Sequence, residues 1–287
     1  MSAKGSGSGR LRADGKMRRD RPSATRVPAT RVGADGKIAA RQRPVPAEIP
    51  IAISFLGIGY AVMMATPADL EDFAYGFARA ERLIDAPADV VGVEIREEES
   101  GVLLGIELAR ERHDRVLQRV RHRVGESSCG LCGIENLEQA LRPLPMLPAP
   151  ARIAPAAIFR ALEALRQHQP LNAETGAAHA AALCDPDGAV LAAREDVGRH
   201  NAFDKLVGHC LREGRDMSAG FVLLTARCSY ELVEKAALAG APLLVAISAP
   251  TGLAIERAKE AGLTLIALAR PDSILVMTDP HGLFGCT

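Results

Sequence analysis

Residues 220–269 read GFVLLTARCSYELVEKAALAGAPLLVAISAPTGLAIERAKEAGLTLIALA, and their rhythm decides the fold. Short apolar runs (FVLLTA, PLLVAIS, LTLIALA) alternate with two helical stretches of about ten residues, each ending in glycine. Apolar runs this short and continuous suit strands buried on both faces, and strands alternating with helices imply βαβ units, a parallel sheet and right-handed crossovers. ILVMT adds a further strand at 274–278. In such sheets ligands sit beyond the carboxyl ends of the strands. Those ends are Thr225–Ser229, Ile247–Gly252 and Leu268–Ser273. Ser229 and Thr251 stand where they cap the following helices, whose amide groups and positive dipole ends can hold an anion.

Working outward, HNAFDKLVGHCLREG (200–214) predicts a helix closed by Gly214, and PAAIFRALEALRQHQ (155–169) a helix with Pro155 near its start. Between them, AAHAAALCDPDGAVLAARED gives a helix or strand, a Pro-Asp-Gly turn and a strand. Upstream, RPLPMLPAPARIAP carries five prolines and excludes regular structure, which makes it a linker or an extended covering segment. In the first half a small hairpin is expected around Ala34-Asp35-Gly36. Two strands follow at 49–66, joined near Leu56–Gly59. A helix is capped by Thr66 with Pro67 in its first turn, and two more strands flank a turn at Glu99–Gly101. The expected organisation is a disordered basic tail (1–25), an α+β module (26–126), a segment holding CxxC and the prolines (127–154), and a C-terminal α/β domain with a mainly parallel sheet (155–287). The fold class is α/β.

Bulk properties narrow the function. With 48% hydrophobic residues, the 287-residue chain can bury a sizeable core. No apolar run approaches the ~20 residues of a membrane helix, and the charged start lacks the apolar core of a secretory signal. Both predict a cytoplasmic protein with no membrane partner. Residues 1–48 hold twelve Lys and Arg against four Asp and Glu, a net of +8, so the remaining chain is −8 and a nucleic-acid partner is not expected. Gly/Ser/Arg composition at the start reads as a solvated tail.

Six cysteines in a chain this long are not a disulfide framework. Cys129 and Cys132, in SSCGLCGIENLEQA, form a CxxC that can hold metal, close a disulfide or pass sulfur. A structural zinc site wants four ligands, and only one CxxC is present, so zinc would have to recruit distant histidines. No strand–CxxC–helix frame supports a thioredoxin-like site. Glycines beside both thiols favour an approachable loop, and the helix expected after Cys132 would stabilise a thiolate, which is the reactive form. Spacing permits sulfur transfer without selecting it. Cys184, Cys210 and Cys228 read as small packed hydrophobes, with Cys228 closest to a strand-end loop.

Two polar constellations remain. EDVGRHNAFDKLVG (195–208) crowds Asp196, Arg199, His200, Asn201, Asp204 and Lys205 at a helix entry. Asp196 could act as base, Arg199 and Lys205 as phosphate ligands and Asn201 as cap; the plain alternative is a polar helix entry with i,i+4 pairing. His179, in an alanine run, is either a packed core histidine or a residue facing the strand-end pocket.

Taken together, TPADLEDFAYGF, SSCGLCGIENL, TGAAHAAAL, EDVGRHNAFDKLVG and the 221–270 text resemble the formate dehydrogenase accessory sulfurtransferase family, the FdhD-type sulfur carriers, from Arg26 to Thr278. The resemblance implies a cytoplasmic homodimer that accepts sulfur from a cysteine desulfurase as a persulfide. It would pass that sulfur to molybdenum bis(molybdopterin guanine dinucleotide), the sulfur acceptor, before formate dehydrogenase receives the cofactor. Cys129 would be the persulfide carrier and Cys132 the helper thiol, with no structural metal. The implied cofactor pocket comprises His179, Asp196, Arg199, His200, Asn201, Thr225, Arg227, Ser248, Thr251 and the run Leu268, Ala269, Arg270, Pro271, Asp272, Ser273. Along that run the chain departs from the family's more glycine-rich text while keeping Arg270. The family also implies a cytidine-deaminase-like C-terminal fold. Deaminase chemistry is not expected, because Ala-Ala-Ala follows His179 where a zinc deaminase needs HxE, and no PCxxC follows.

Overall fold

A computed structural model describes residues 21–125 and 141–285; Cys129, Cys132, Cys286 and the helix expected after Cys132 lie outside the described residues. Strand structure begins with β1 (Ala24–Val32), two residues ahead of Arg26, and β2 (Ile38–Pro46) returns antiparallel to it across the Asp35-Gly36 turn. β3 (Ile49–Phe55) and β4 (Ile58–Ala65) form the second expected hairpin, with Leu56 and Gly57 both at positive φ in its tight turn. After α1 (Leu70–Ala80), β5 (Val90–Glu98) and β6 (Gly101–Leu108) complete a four-stranded sheet of order β4-β3-β6-β5. Only β3 and β6 run parallel. Alternation along the strands sends Ile51, Ile53, Phe55, Leu104 and Ile106 to one face, where Phe73 and Phe77 of α1 cover them.

The helix at Thr66 starts later than its text suggests. Thr66 is completely buried, and its backbone and hydroxyl bond to groups 130 or more positions away, so the chain stays irregular until Leu70. α2 (His113–Gly125) has no counterpart in the sequence reading, because its many charges leave few apolar positions to carry a period; Val116 and Val120 pack it against the core.

The covering segment runs extended to Ala154, burying Leu147 and Ile153, and its Leu147 amide donates to the Ala261 carbonyl at 2.8 Å. Next come α3 (Pro155–Ala164) and the short α4 (Pro170–Thr175). The alanine-rich stretch resolves as a strand: β7 (His179–Cys184) pairs antiparallel with β8 (Val190–Asp196). Then follow α5 (Arg199–Arg212), β9 (Phe221–Leu224), α6 (Tyr230–Leu238), β10 (Leu243–Ala246), α7 (Gly252–Glu260), β11 (Thr264–Ala267) and β12 (Leu275–Thr278). The sheet order is β12-β11-β10-β9-β7-β8; β9, β10 and β11 form the parallel centre, and antiparallel strands flank it on both sides. Every residue of β9–β11 is buried, because α5–α7 and Leu147 of the extended segment cover one face while α3 and Ile153 cover the other. The α/β class holds, with a mixed sheet.

α1 crosses α5 with backbones nearly touching. A Cβ built on Gly76 would lie 1.7 Å from the Asp204 carbonyl oxygen, and one on Gly208 would lie 1.8 Å from that of Asp72. Real side chains never approach so closely, so the crossing exists only with glycine at both points. Replacing Gly208 with Ala is expected to cost about 3 kcal/mol or more, since the helices must separate. Urea unfolding of Gly208→Ala beside wild type measures it; an unchanged midpoint would refute the contact.

Candidate functional site at the carboxyl edge

Asp196 ends β8 with its carboxylate wholly buried and receives four donors. Oδ2 accepts from Lys205 Nζ at 2.6 Å and the Thr66 amide at 3.0 Å; Oδ1 accepts from the Gly198 amide at 2.8 Å and Asn201 Nδ2 at 3.1 Å. Lys205, also fully buried, donates to the Thr66 carbonyl at 2.9 Å, and Asn201 Nδ2 donates to the Met64 carbonyl at 2.8 Å. These contacts join the end of β4 to the C-terminal sheet. Asp196 and Asn201, expected in the cofactor pocket, and Lys205, expected as a phosphate ligand, therefore sit in the joint between the two sheets, sealed from any ligand. An ion pair this deep is stable only with its remaining lone pairs and protons satisfied, and here they are.

A second joint surrounds Asp72 of α1. Arg194 Nε donates to it at 2.8 Å and Arg212 Nη1 also bonds it, while Arg194 Nη2 donates to His209 Nδ1 at 2.7 Å. Asp204 is buried beside Lys235; burial pushes its carboxyl up, and Lys235 opposes that shift.

The other expected residues gather along one edge. β7 runs antiparallel to β9, so His179, which opens β7, lies beside the carboxyl ends of the parallel strands. The Thr225 hydroxyl accepts from the Ala180 amide at 2.9 Å. The Leu268 amide donates to the Ser248 carbonyl at 3.3 Å, and Arg270 Nη1 caps the Ile247 carbonyl. Strand order sets the sequence along the edge: His179, Thr225, Ser248, Leu268. At about 4.8 Å per strand this row spans roughly 14 Å. Leu268 turns the chain at φ 48°, a left-handed conformation unusual for a branched residue, and presents Arg270 to Ser273 to solvent. Thr251 caps α7 as expected, its hydroxyl accepting from the Ala254 amide at 3.2 Å. Ser229 occupies the equivalent position before α6 with no side-chain capping bond, and its hydroxyl donates instead to Glu231 at 3.4 Å.

Arg199 and His200 open α5 beside this row. Burial pushes the His200 imidazole down to about 4, with Glu231 at 3.3 Å opposing that fall. Burial, reinforced by Arg199, lowers His179 as well. The Arg199 Nε is buried with no hydrogen-bond partner. An orphaned buried guanidinium nitrogen beside His179 and His200, on an edge that also carries exposed Arg227 and Arg270, suits an anion. Cys184, Cys210 and Cys228 are buried, their thiols pushed up to about 12, 11 and 12 chiefly by burial. Cys228 is thus no part of a reactive edge. Among the described residues no group of three His, Cys, Asp or Glu side chains could hold a metal, and no helix is long and apolar enough to cross a membrane.

One further cleft, of about 390 Å³, lies at the far end of α1, with Glu81, Arg119, Arg142, Tyr230 and Lys235 among its walls. Arg119 precedes the cysteine segment and Arg142 follows it. No local pattern signals this cleft, because its walls come from six separate stretches of chain.

The scaffold and its edge define the class: a mixed α/β protein with exposed arginines on its strand-end loops and buried interior thiols. Residues 46–284 match the model of the FdhD/NarQ family, and the chain belongs to that family. It is 48% identical over 248 residues to the sulfur carrier protein FdhD of Xanthomonas campestris pv. campestris (strain B100), covering 86% of this chain and 88% of the relative. It is 44% identical over 245 residues to the protein of the same name from Agrobacterium fabrum, covering 85% and 90%. A crystal structure from Desulfotalea psychrophila, provisionally named a formate dehydrogenase accessory protein, superposes with a TM-score of 0.71 at 25% identity, over 90% of this chain and 98% of that one.

Lys205→Met should destabilise the fold by about 3–5 kcal/mol, because it leaves Asp196 charged, buried and unpaired. Adding Asp196→Leu should recover part of the loss, and urea unfolding of both variants checks it. The three histidines His179, His200 and His209 all have folded values below the ordinary imidazole value of ~6.5. The unfolded chain therefore binds more protons, so stability falls as pH drops from about 6.5 towards 4. A His200→Asn variant should show a shallower fall in unfolding free energy across that window; an identical slope would refute the buried neutral state.

Proposed function

We propose that this chain is a sulfurtransferase of the carrier type, working through a persulfide on Cys129 with Cys132 as helper thiol. The observation that carries the reading is the burial of Cys184, Cys210 and Cys228. A thiol held near 11–12 is almost never ionised at neutral pH, and the thiolate is the nucleophile. Sulfur chemistry in a family of sulfur carriers is then left to the other three cysteines, of which Cys129 and Cys132 form the CxxC pair with the spacing for it.

In loading, the Cys129 thiolate attacks the outer sulfur of a desulfurase persulfide; the new S–S bond forms on Cys129 and the donor leaves as thiolate. For release, the Cys132 thiolate can attack the inner sulfur, expelling hydrosulfide and closing a Cys129–Cys132 disulfide that a dithiol must reopen. The acceptor is a substrate: molybdenum bis(molybdopterin guanine dinucleotide), destined for formate dehydrogenase in the cytoplasm. Arg199, Arg227 and Arg270 would hold its phosphates along the strand ends, with His179, Thr225, Ser248, Thr251 and Leu268–Ser273 shaping the rest. Two guanine arms suit a two-fold dimer, one arm per copy.

The test is intact-mass spectrometry after incubation with a cysteine desulfurase and cysteine. A sulfur-sized increase, removed by reductant and missing in Cys129→Ala, is expected. Cys132→Ala should load normally yet release sulfur more slowly. No increase in wild type, with stoichiometric zinc bound instead, would overturn the carrier reading.

A further inference from the structure

The cleft at the far end of α1 holds two charged groups that the fold leaves without a counter-charge. Elsewhere on its walls charge is matched. Tyr60 and Arg119 donate to Glu81 at 2.5 and 3.3 Å, Lys235 bonds Asp204, and Arg257 of α7 donates to Glu234 at 2.7 Å. Arg142 is different. Among the described residues its guanidinium makes no hydrogen bond or ion pair, and Glu81 and Glu234 act on it only at longer range. Its backbone is nonetheless fixed: Arg257 Nη2 donates to the Arg142 carbonyl, and Arg82 Nη1 to that of Pro143 at 3.0 Å. Arg82 adds a second unused donor, since its Nη2 is buried with no partner. Burial, then Arg119 and Arg82, push the Arg142 guanidinium down, as happens where positive groups crowd together out of water.

Glu231, in the first turn of α6, is the complement. Exposed on the same cleft, it accepts from the Ser229 hydroxyl at 3.4 Å and faces His200 at 3.3 Å. With its imidazole lowered to about 4, His200 is neutral at pH 7 and brings Glu231 no charge. The walls carry three cations (Arg119, Arg142, Lys235) and four carboxyl groups (Glu81, Asp204, Glu231, Glu234). A polyanion gains little from so even a mixture, whereas a ligand with one charge of each sign meets both unmatched groups. Met63, Phe77 and Leu238 add apolar wall, against which a polarisable sulfur packs well. The volume of about 390 Å³ falls within the ~300–1,000 Å³ of small-molecule sites.

We infer that this cleft binds a zwitterionic thiol, an α-amino-acid thiol or the persulfide made from it, with the carboxylate on Arg142 and the ammonium on Glu231. Besides the apolar wall, place in the chain singles out a thiol: Arg119 and Arg142 line the cleft, and each stands ten positions from the nearer cysteine of the CxxC pair. The use of the site rests on the carrier reading, for which it names a small-molecule sulfur donor. A bound persulfide gives up its outer sulfur to the Cys129 thiolate. The new S–S bond forms on Cys129, the outer sulfur keeps its proton, and the amino-acid thiol leaves as thiolate. Binding itself needs neither Cys129 nor Cys132.

Calorimetric titration of the full chain tests this, in a Cys129→Ser/Cys132→Ser background with reductant so that no disulfide forms. L-cysteine should bind at one site. Cysteamine, which lacks the carboxylate, and 3-mercaptopropionate, which lacks the ammonium, should each bind about tenfold more weakly, the loss of one charge-assisted pair. Arg142→Gln should weaken L-cysteine by about the same factor and leave cysteamine unchanged; Glu231→Gln should weaken L-cysteine and leave 3-mercaptopropionate unchanged. Circular dichroism establishes that both variants remain folded. L-serine should bind more weakly than L-cysteine, and equal affinity would overturn the thiol assignment. No binding of L-cysteine, binding indifferent to both substitutions, or displacement by pyrophosphate overturns the inference. Failure of the carrier reading looks different. A wild type that loads from a desulfurase while its cleft binds no cysteine sinks this site and leaves the carrier; a cleft that binds cysteine in a chain no persulfide loads does the reverse.

Discussion

One buried ion pair fixes how the two halves of this chain meet. Lys205 and Asp196 have no exposed surface, and the attraction between them does not by itself offset the cost of removing both charges from water. What makes the arrangement hold is completeness: four donors on one carboxylate, two of them backbone amides and one from a residue more than a hundred positions away. Each bond also restricts geometry. Thr66 can give its amide to Asp196 and its carbonyl to Lys205 only if the end of β4 abuts the entry to α5, and that placement brings Gly76 and Gly208 into contact. Polar satisfaction sets the position, and the glycines permit the distance.

The strand-end row depends on that joint. β8 and α5 are pinned by Asp196, Asn201 and Lys205, so Arg199 and His200, at the start of α5, are held beside His179 instead of swinging with a surface loop. A preorganised cation beside neutral imidazoles is suited to receive negative charge, because little reorganisation remains when the ligand arrives. On the proposed reading, the joint would contribute to binding without touching the ligand.

Periodic segments were legible in the sequence. FVLLTA, PLLVAIS and LTLIALA had to be buried strands because nothing polar interrupts them, and the glycines at 214, 240 and 262 do sit at positive φ after their helices. The hairpins at 33–37 and 56–57 were equally plain. α2 escaped because its charges hide its period. Asp196, Asn201 and Lys205 were misjudged for a different reason. A crowd of acidic, amide and basic residues at a helix entry has the same composition whether it grips a ligand or a distant strand. Only the position of Thr66, far away in sequence, separates the two, and no local pattern encodes it.

The same logic bears on the thiols. Cysteine types are identical in text, yet the scaffold divides them by solvation. Burial strips a charged sulfur of water, and at Cys210 the pull of Arg215 and Arg194 does not make up for it, so Cys184, Cys210 and Cys228 stay protonated and inert. A protein that moves sulfane sulfur gains from that inertness. Persulfides exchange with any accessible thiolate, and competing nucleophiles within reach would scatter the cargo into unproductive disulfides. Silencing interior thiols by burial protects the transfer without removing useful small hydrophobes from the core. On the proposed reading, reactivity is left to cysteines other than these three.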